Sequence, residues 1–156
     1  LVRCRDCLVI RLAVPACIAY AFPSRVTTAS RMFRKVMRRH SGVRCPTDSA
    51  LEAYRVNNMP SAELRTVYDR LERTTRNIVY APLGPKAVEE TLEISPAERI
   101  RWSKDGRLTT KKSVCSRGRG SFALPLYSAE TIANLKQQSK LLASWRQEDN
   151  RKCHPK

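Results

Sequence analysis

The chain has 156 residues and a formal net charge of +16, from 30 lysines and arginines against 14 aspartates and glutamates. This length allows one ordinary domain with tails. So basic a chain favours a polyanionic partner, with nucleic acid first and an anionic membrane surface second. Aromatic residues make up only 6% of the chain, which argues against a large packed core.

The first forty residues do not resemble the rest of the chain. Residues 1–40 hold nine basic side chains against the single acid Asp6. The apolar run 7–22 is interrupted by Arg11 and Pro15, and it is shorter than the roughly 20 apolar residues that a membrane-spanning helix needs. No membrane association is therefore expected.

Three interpretations of this segment stay open. Arg3 and Arg5 ahead of the apolar run are typical of a secretory signal, although an arginine inside the run argues against one. The composition also fits an organelle presequence. The third interpretation is an over-extended reading frame, with the protein starting at Met32 or Met37. In each case we expect residues 1–40 to lie outside the fold and to be dispensable for folding.

Residues 57–80 form the first strong helical pattern. Apolar side chains recur there at helical spacing, at Leu64, Val67, Tyr68, Leu71 and Ile78. Charged residues occupy the other faces. The pattern predicts an amphipathic helix whose apolar stripe packs on the core of the following domain, with dimerisation as the alternative.

The most informative motif is Ser95-Pro96-Ala97-Glu98. Serine is a good N-cap, proline is favoured at the first helical position, and a glutamate at the third can close a capping box. Gly106 is placed to end this helix in a left-handed conformation. The pattern predicts helices over Lys86–Leu92 and Pro96–Asp105 joined by the turn 93–95, which is a helix-turn-helix candidate.

The motif and the residues after it resemble the winged helix-turn-helix of MerR-type regulators and of phage or transposon excisionases. The matching features are a turn, a glycine-containing step, a basic wing and an apolar return into a further helix, at Ile94-Ser95, Gly106-Arg107-Leu108, Thr109–Gly120 and 122–132. The chain departs from the family at Glu89, where a small residue is usual, and at Arg99, where an apolar one is usual.

The resemblance implies a mainly α fold: a small winged helix-turn-helix with a short β wing, preceded by the amphipathic helix and followed by a C-terminal helix. The DNA-binding domain is expected over 84–148, with a C-terminal helix that begins after Ser128 and is interrupted near Gln138. Residues 149–156 are expected to form a polar, frayed tail.

The second helix of such a domain would lie in the major groove, with Arg99, Lys104 and Ser103 facing outward, while the wing grips phosphates. Arginine is well suited to bidentate contact with a guanine edge. The predicted DNA-binding residues are Arg99, Arg101, Ser103, Lys104, Arg107, Lys111, Lys112, Arg117 and Arg119. The expected partner is double-stranded DNA, and the expected function is sequence-specific binding by a transcriptional regulator or recombination accessory factor in the cytoplasm, at the nucleoid.

Nothing in the chain predicts an enzyme. Phosphate-binding glycine motifs are missing from the sequence. His40 and His154 lie in expected tails, and a solvated helix face explains the carboxylates Glu89, Glu90 and Glu93. We therefore expect binding without chemistry and no cofactor.

The six cysteines do not predict a metal site. Cys4 and Cys7 have zinc-knuckle spacing, but no second pair of ligands comes after them. Cys115, in the wing, is either an incidental thiol or a thiol sensor. No metal is expected.

Two other hypotheses remain. The chain could be an RNA- or ribosome-associated basic protein whose Arg-Gly segment 117–120 contacts RNA backbone, or a fragment without independent function. A homodimer through helices 61–78 or 128–147 is also left open.

Overall fold

The computed structural model describes residues 2–4, 7–40, 42–45, 52–56, 59–117 and 120–153. The chain divides into two compact units, unit 1 over Leu1–Tyr80 and unit 2 over Ala81–Lys156. Its elements are mainly helices, with small antiparallel sheets. The prediction of a mainly α fold is thereby confirmed. None of the helices in these ranges is long and apolar enough to cross a membrane.

Unit 1 is a four-stranded antiparallel sheet with three helices. The elements are β1 (Val2–Cys4), β2 (Cys7–Arg11), α1 (Ala16–Ala21), α2 (Pro23–Arg39), β3 (Val43–Cys45), β4 (Ala53–Val56) and α3 (Ser61–Val79). The strand order is β1-β2-β4-β3. In the register of this sheet, Ile10 of β2 lies opposite Tyr54 of β4. The sequence did not predict this sheet.

The side chains of β2 and α2 explain why the first forty residues fold. Helix α2 begins with a proline at its first position, where the missing N–H costs nothing. Its residues Ala29, Phe33 and Met37 recur every four positions and are all buried. The Phe33 ring meets that of Tyr54 with 5.8 Å between centroids, so α2 packs against β4.

The expectation that residues 1–40 lie outside the fold is therefore wrong for the part of them that the structure describes. These residues supply a large share of the buried apolar side chains of unit 1, namely Val9, Ile10, Leu12, Ile18, Phe22, Ala29, Phe33 and Met37. The arginine that interrupts the apolar run, Arg11, is an exposed residue at the end of β2. It is compatible with a strand, although not with a membrane span.

The amphipathic helix predicted over 57–80 is α3. Val67, Leu71 and Val79 of its apolar stripe are buried. The helix packs on α2 of the same unit, and the Arg25 Nη1 atom donates to the carbonyl of Val79 at 3.2 Å. The stripe was expected to pack on the helix-turn-helix core, but its observed partner is α2.

Unit 2 contains four helices and a β hairpin. The elements are α4 (Pro85–Leu92), α5 (Pro96–Lys104), β5 (Thr110–Arg117), β6 (Gly120–Tyr127), α6 (Ala129–Gln137) and α7 (Ser139–Cys153). The hairpin pairs Thr110 with Tyr127 at its base and Arg117 with Gly120 at its far end. Helix α4 packs against α5, α6 and β6.

The predicted order of two helices, a hairpin and a further helix is found in unit 2. Ile100 and Trp102 lie about 200° apart on a helix, so they cannot share one face of α5; Trp102 is fully buried and Ile100 is 45% exposed. Ser128 caps α6 by accepting from the amide of Thr131, and the C-terminal helix is interrupted at Gln138, as predicted. The frayed tail is wrong for residues 149–153, because α7 continues to Cys153 and Asp149 is buried; residues 154–156 lie outside the described residues.

Phe33→Ala tests whether α2 belongs to the core. We expect it to lower the free energy of unfolding of unit 1 by about 3–5 kcal/mol, because a buried phenyl ring is lost and a cavity remains. Lys35→Ala is the control, since Lys35 is exposed on the same helix. Urea unfolding followed by circular dichroism measures both. If the two variants have equal free energies of unfolding, α2 does not belong to the core and residues 1–40 are dispensable for folding.

Candidate nucleic-acid interface

The start of α5 has the predicted capping box. The amide of Glu98 donates to Ser95 Oγ at 3.2 Å, and the amide of Ser95 donates to Glu98 Oε2 at 2.7 Å. Two backbone donors at the helix start are therefore satisfied by side chains. Arg146 of α7 holds the same glutamate, with 2.7 Å between its Nε and Glu98 Oε1. The helix start is thus fixed both locally and from α7.

Each helix of the helix-turn-helix candidate is followed by a residue with left-handed backbone. Gly106 has φ +83°, as its position after α5 predicts. Glu93, at the end of α4, has φ 54° and is the one non-glycine residue with positive φ in the described part of the chain. That conformation is uncommon for residues with a Cβ. The carbonyl of Glu93 accepts from Arg146 Nη2 at 2.9 Å, which helps to hold the turn.

Arg99 points into unit 2, contrary to the prediction that it faces outward. Its Nε donates to Glu89 Oε1 at 2.6 Å, and its Nη1 donates to the Tyr127 hydroxyl at 3.0 Å. Ser103 Oγ lies 3.0 Å from the same hydroxyl and donates to the Arg99 carbonyl at 2.8 Å. Arg99 and Ser103 therefore join α5 to α4 and to the base of the hairpin, and neither is available to a ligand.

The two residues that depart from the winged helix-turn-helix pattern, Glu89 and Arg99, contact each other. Glu89 and Arg99 form an ion pair in which the side chains are only 19% and 13% exposed. A lone charge at either position would be costly to bury, whereas the pair is compensated and also hydrogen-bonded. A charged pair thus occupies both positions at which the sequence differs from that pattern.

Arg107 is also internal, although it was predicted to contact DNA. Its Nη2 donates to Asp149 Oδ1 at 2.6 Å, and its Nε donates to Asp105 Oδ2 at 2.7 Å. The guanidinium carbon lies 5.6 Å from the ring centroids of Trp102 and Trp145, within cation–π range of both. The carboxylate of Asp105 is the main cause of the raised pKa of Arg107.

Asp149 lies at the centre of this cluster. Trp102 Nε1 donates to its Oδ2 at 2.9 Å, and Arg101 Nη1 lies 2.9 Å from the same oxygen. Burial by itself raises the pKa of Asp149, but hydrogen bonds from Arg107 and Trp102 outweigh that, and the net pKa lies below its ordinary value of 3.8. The carboxylate is therefore charged at neutral pH, and it joins α7 to α5.

With these residues turned inward, the outward face of α5 consists of four others. At 3.6 residues per turn, Ala97, Ile100, Arg101 and Lys104 fall within an arc of about 100°. All four are exposed. Arg101 is 45% exposed despite its contact with Asp149. Among the described residues, Lys104 has no ion-pair partner.

The remaining predicted residues belong to the hairpin. Lys111 of β5 is exposed. Lys112 and Arg117 also lie in β5, but their side chains fall outside the described residues, as does the whole of Arg119. Of the nine predicted DNA-binding residues, the structure thus brings Arg101 and Lys104 together on α5 and places Arg99, Ser103 and Arg107 in the interior.

Sequence reasoning missed the internal partners of these arginines, Glu89, Tyr127 and Asp149. The departure of two charged residues from one family pattern was a usable signal for the Glu89–Arg99 pair. No local signal marks Asp149, which lies 47 positions from Trp102 and 42 from Arg107.

Comparison with known proteins adds no relative. The chain matches no protein-family model, no curated protein and no solved structure.

Asp149→Asn tests the cluster that joins α7 to α5. We expect a loss of about 3 kcal/mol in the free energy of unfolding of unit 2, because Arg107 loses a buried charged partner. Glu148→Gln is the matched control. Its carboxylate is 56% exposed and 4.0 Å from Arg107, so we expect a cost below about 1 kcal/mol.

The same pair of variants has a predicted pH dependence. Because the pKa of Asp149 is lowered on folding, its contribution is complete above the ordinary value of 3.8 and is lost as the pH falls through the folded value. Thermal unfolding should therefore show a smaller acid loss of stability for Asp149→Asn than for the parent. Identical acid profiles would contradict a charged, buried Asp149.

Proposed function

We propose that unit 2 binds double-stranded DNA with α5 as the recognition helix, and that it does so without catalysing a reaction. The observation that carries the proposal is the division of α5 into two faces. The inward face, with Arg99, Trp102 and Ser103, is fully engaged within the unit. The outward face, with Ala97, Ile100, Arg101 and Lys104, is exposed.

The chemistry of the outward face suits base edges in the major groove. Lysine and arginine donate to guanine O6 and N7, and small or branched apolar groups contact the thymine methyl. Ile100 is 45% exposed on this face although its apolar side chain gains nothing from water. In this proposal Lys104 keeps the base-reading role predicted for it, Arg101 takes the role first given to Arg99, and Ile100 joins them.

The position of α5 supports the proposal in energetic terms. A helix that reads bases must keep its orientation, since displaced side chains lose their hydrogen bonds. Here α5 is fixed at its start by the capping box and Arg146, and at its end by the contacts of Arg107 and Asp149. The shortest ion pairs of unit 2 in the described ranges therefore stabilise the orientation of α5 and leave few of its cations to bind DNA.

The hairpin is proposed to contact phosphates through Lys111 together with Lys112, Arg117 and Arg119. Phosphate contacts set register and affinity without reading sequence. On this basis the protein acts as a MerR-like or excisionase-like regulator or recombination accessory factor, at the nucleoid. The dimer has less support, because the apolar stripes of α3 and α6 are buried within their own units.

Lys104→Ala and Lys111→Ala separate base reading from phosphate contact. We expect Lys104→Ala to cost about 1–3 kcal/mol on a duplex selected from a random pool and little on scrambled duplex. Lys111→Ala should weaken both duplexes alike and lower the log-log salt slope by about 0.9 for one phosphate. Binding is measured at two or more salt concentrations.

Lys86→Ala is the control for loss of charge alone. Lys86 lies on α4, 89% exposed and paired only loosely with Glu90 at 3.9 Å, and its variant should bind as the parent does. A structured RNA hairpin serves as the competing ligand. If Lys104→Ala and Lys111→Ala give the same uniform loss, and RNA competes as well as duplex, α5 does not read bases and the RNA-binding alternative takes precedence.

A further inference from the structure

We infer that the solvent face of α2 in unit 1 is a second surface for the phosphate backbone of duplex DNA, one that binds without reading sequence. The inference goes beyond the α5 interface, and it rests on the proposed function only for the choice of duplex DNA as the polyanion.

The cations of α2 are concentrated in its second half on one face. Five of the six cations of α2 fall within an arc of about 140° at 3.6 residues per turn; they are Arg31, Arg34, Lys35, Arg38 and Arg39. Their side chains line a hollow of about 340 Å³. The opposite face of the helix carries the buried residues of the core, so this face is fixed toward solvent.

Little negative charge balances this face. Helix α2 contains no aspartate or glutamate. The buried carboxylate of Glu52 lies 3.0 Å from Arg34 Nε and 3.4 Å from Arg44 Nε. Arg31, Lys35, Arg38 and Arg39 have no ion-pair partner in the described ranges. One acid is therefore shared by two arginines, and four cations are left uncompensated.

This concentration of like charge lowers the stability of α2 itself. Like charges four positions apart on a helix repel each other and destabilise it, and α2 has three such pairs, Arg31–Lys35, Arg34–Arg38 and Lys35–Arg39. Helix α3 in the same unit shows the usual solution, because its arginines alternate with Glu63, Asp69 and Glu72. A bound polyanion would remove the repulsion on α2.

The spacing favours a phosphate backbone. From Arg31 to Arg38 the helix rises about 10 Å at 1.5 Å per residue, so its long side chains can reach the backbone of a DNA strand, which carries one negative charge for each 3.4 Å of axial rise. An anionic membrane is less suitable, because a surface-bound helix needs an exposed apolar face to insert. The apolar residues of α2, Ala29, Phe33 and Met37, are committed to the core.

The test compares two triple variants of the full chain that lose equal charge from the same unit. One carries Arg31→Gln, Lys35→Gln and Arg38→Gln on α2. The other carries Arg65→Gln, Arg70→Gln and Arg73→Gln, all exposed on α3. Binding to a random-sequence duplex is measured from 50 to 200 mM salt, and circular dichroism with thermal melting establishes that both variants remain folded.

We expect the α2 variant to lower the log-log salt slope by about 2.7, or 0.9 for each of three phosphates. Across a fourfold change in salt, the parent should then lose about 40-fold more affinity than this variant does. The α3 variant should keep most of the parental slope. Equal slopes for the two variants, or an unchanged slope for the α2 variant, would overturn the inference.

Two further experiments determine which ligand and which surface cause the change in salt slope. Vesicles containing phosphatidylserine test the membrane alternative: if the α2 variant loses vesicle binding and keeps its duplex slope, the surface binds lipid and the inference is wrong. Lys104→Ala, measured on the selected and on the scrambled duplex, separates the two surfaces. If Lys104→Ala weakens both duplexes equally, the proposed role of α5 is wrong. The α2 inference still stands in that case, provided that the α2 variant lowers the salt slope as expected.

Discussion

The architecture of unit 2 depends most on the contacts that the buried carboxylate of Asp149 makes. It accepts from Trp102 and Arg107 and lies within ion-pair distance of Arg101. A buried carboxylate is stable only when its charge and hydrogen-bonding capacity are matched, so α5, the turn after it and α7 must stay together. The T-shaped contact of Trp102 with Trp145, 5.1 Å between centroids, adds apolar contact to this electrostatic joint.

A consequence is that much of the positive charge near α5 serves the fold. Arg99 and Arg107 have side chains only 13% and 15% exposed, and each is held by carboxylates. A desolvated arginine with matched partners positions an element, whereas binding of a polyanion requires cations that solvent and ligand can reach. Net charge is thus a poor guide to the interface. Among the described side chains of α2, α5 and the hairpin, those that solvent and a ligand can reach include Lys104, Lys111, Arg101 and the cations on the solvent face of α2.

How far the sequence could predict these features depends on how far apart the interacting residues lie. The capping box is complete within four consecutive residues, and Gly106 closes the same helix, so both were predictable from local rules. Asp149 could not be paired with Trp102 by any local rule, and the last turn of its helix was predicted to belong to a tail. The prediction that residues 1–40 lie outside the fold was wrong because the interruption of their apolar run argues against a membrane span and a secretory signal, but does not exclude a buried strand and helix. The spacing of Ala29, Phe33 and Met37 was the overlooked indication of a core helix.

The most direct test of the central claim, that α5 has a fixed inward face and a DNA-reading outward face, is nuclear magnetic resonance of the isotope-labelled full chain titrated with its selected duplex. We predict that the largest shift changes occur at Ala97, Ile100, Arg101, Lys104 and Lys111. The Nε–H resonance of Arg99 should stay unchanged, because its bond to Glu89 persists in the complex. Shift changes confined to unit 1 with α5 unaffected, or a displaced Arg99 resonance, would contradict the account.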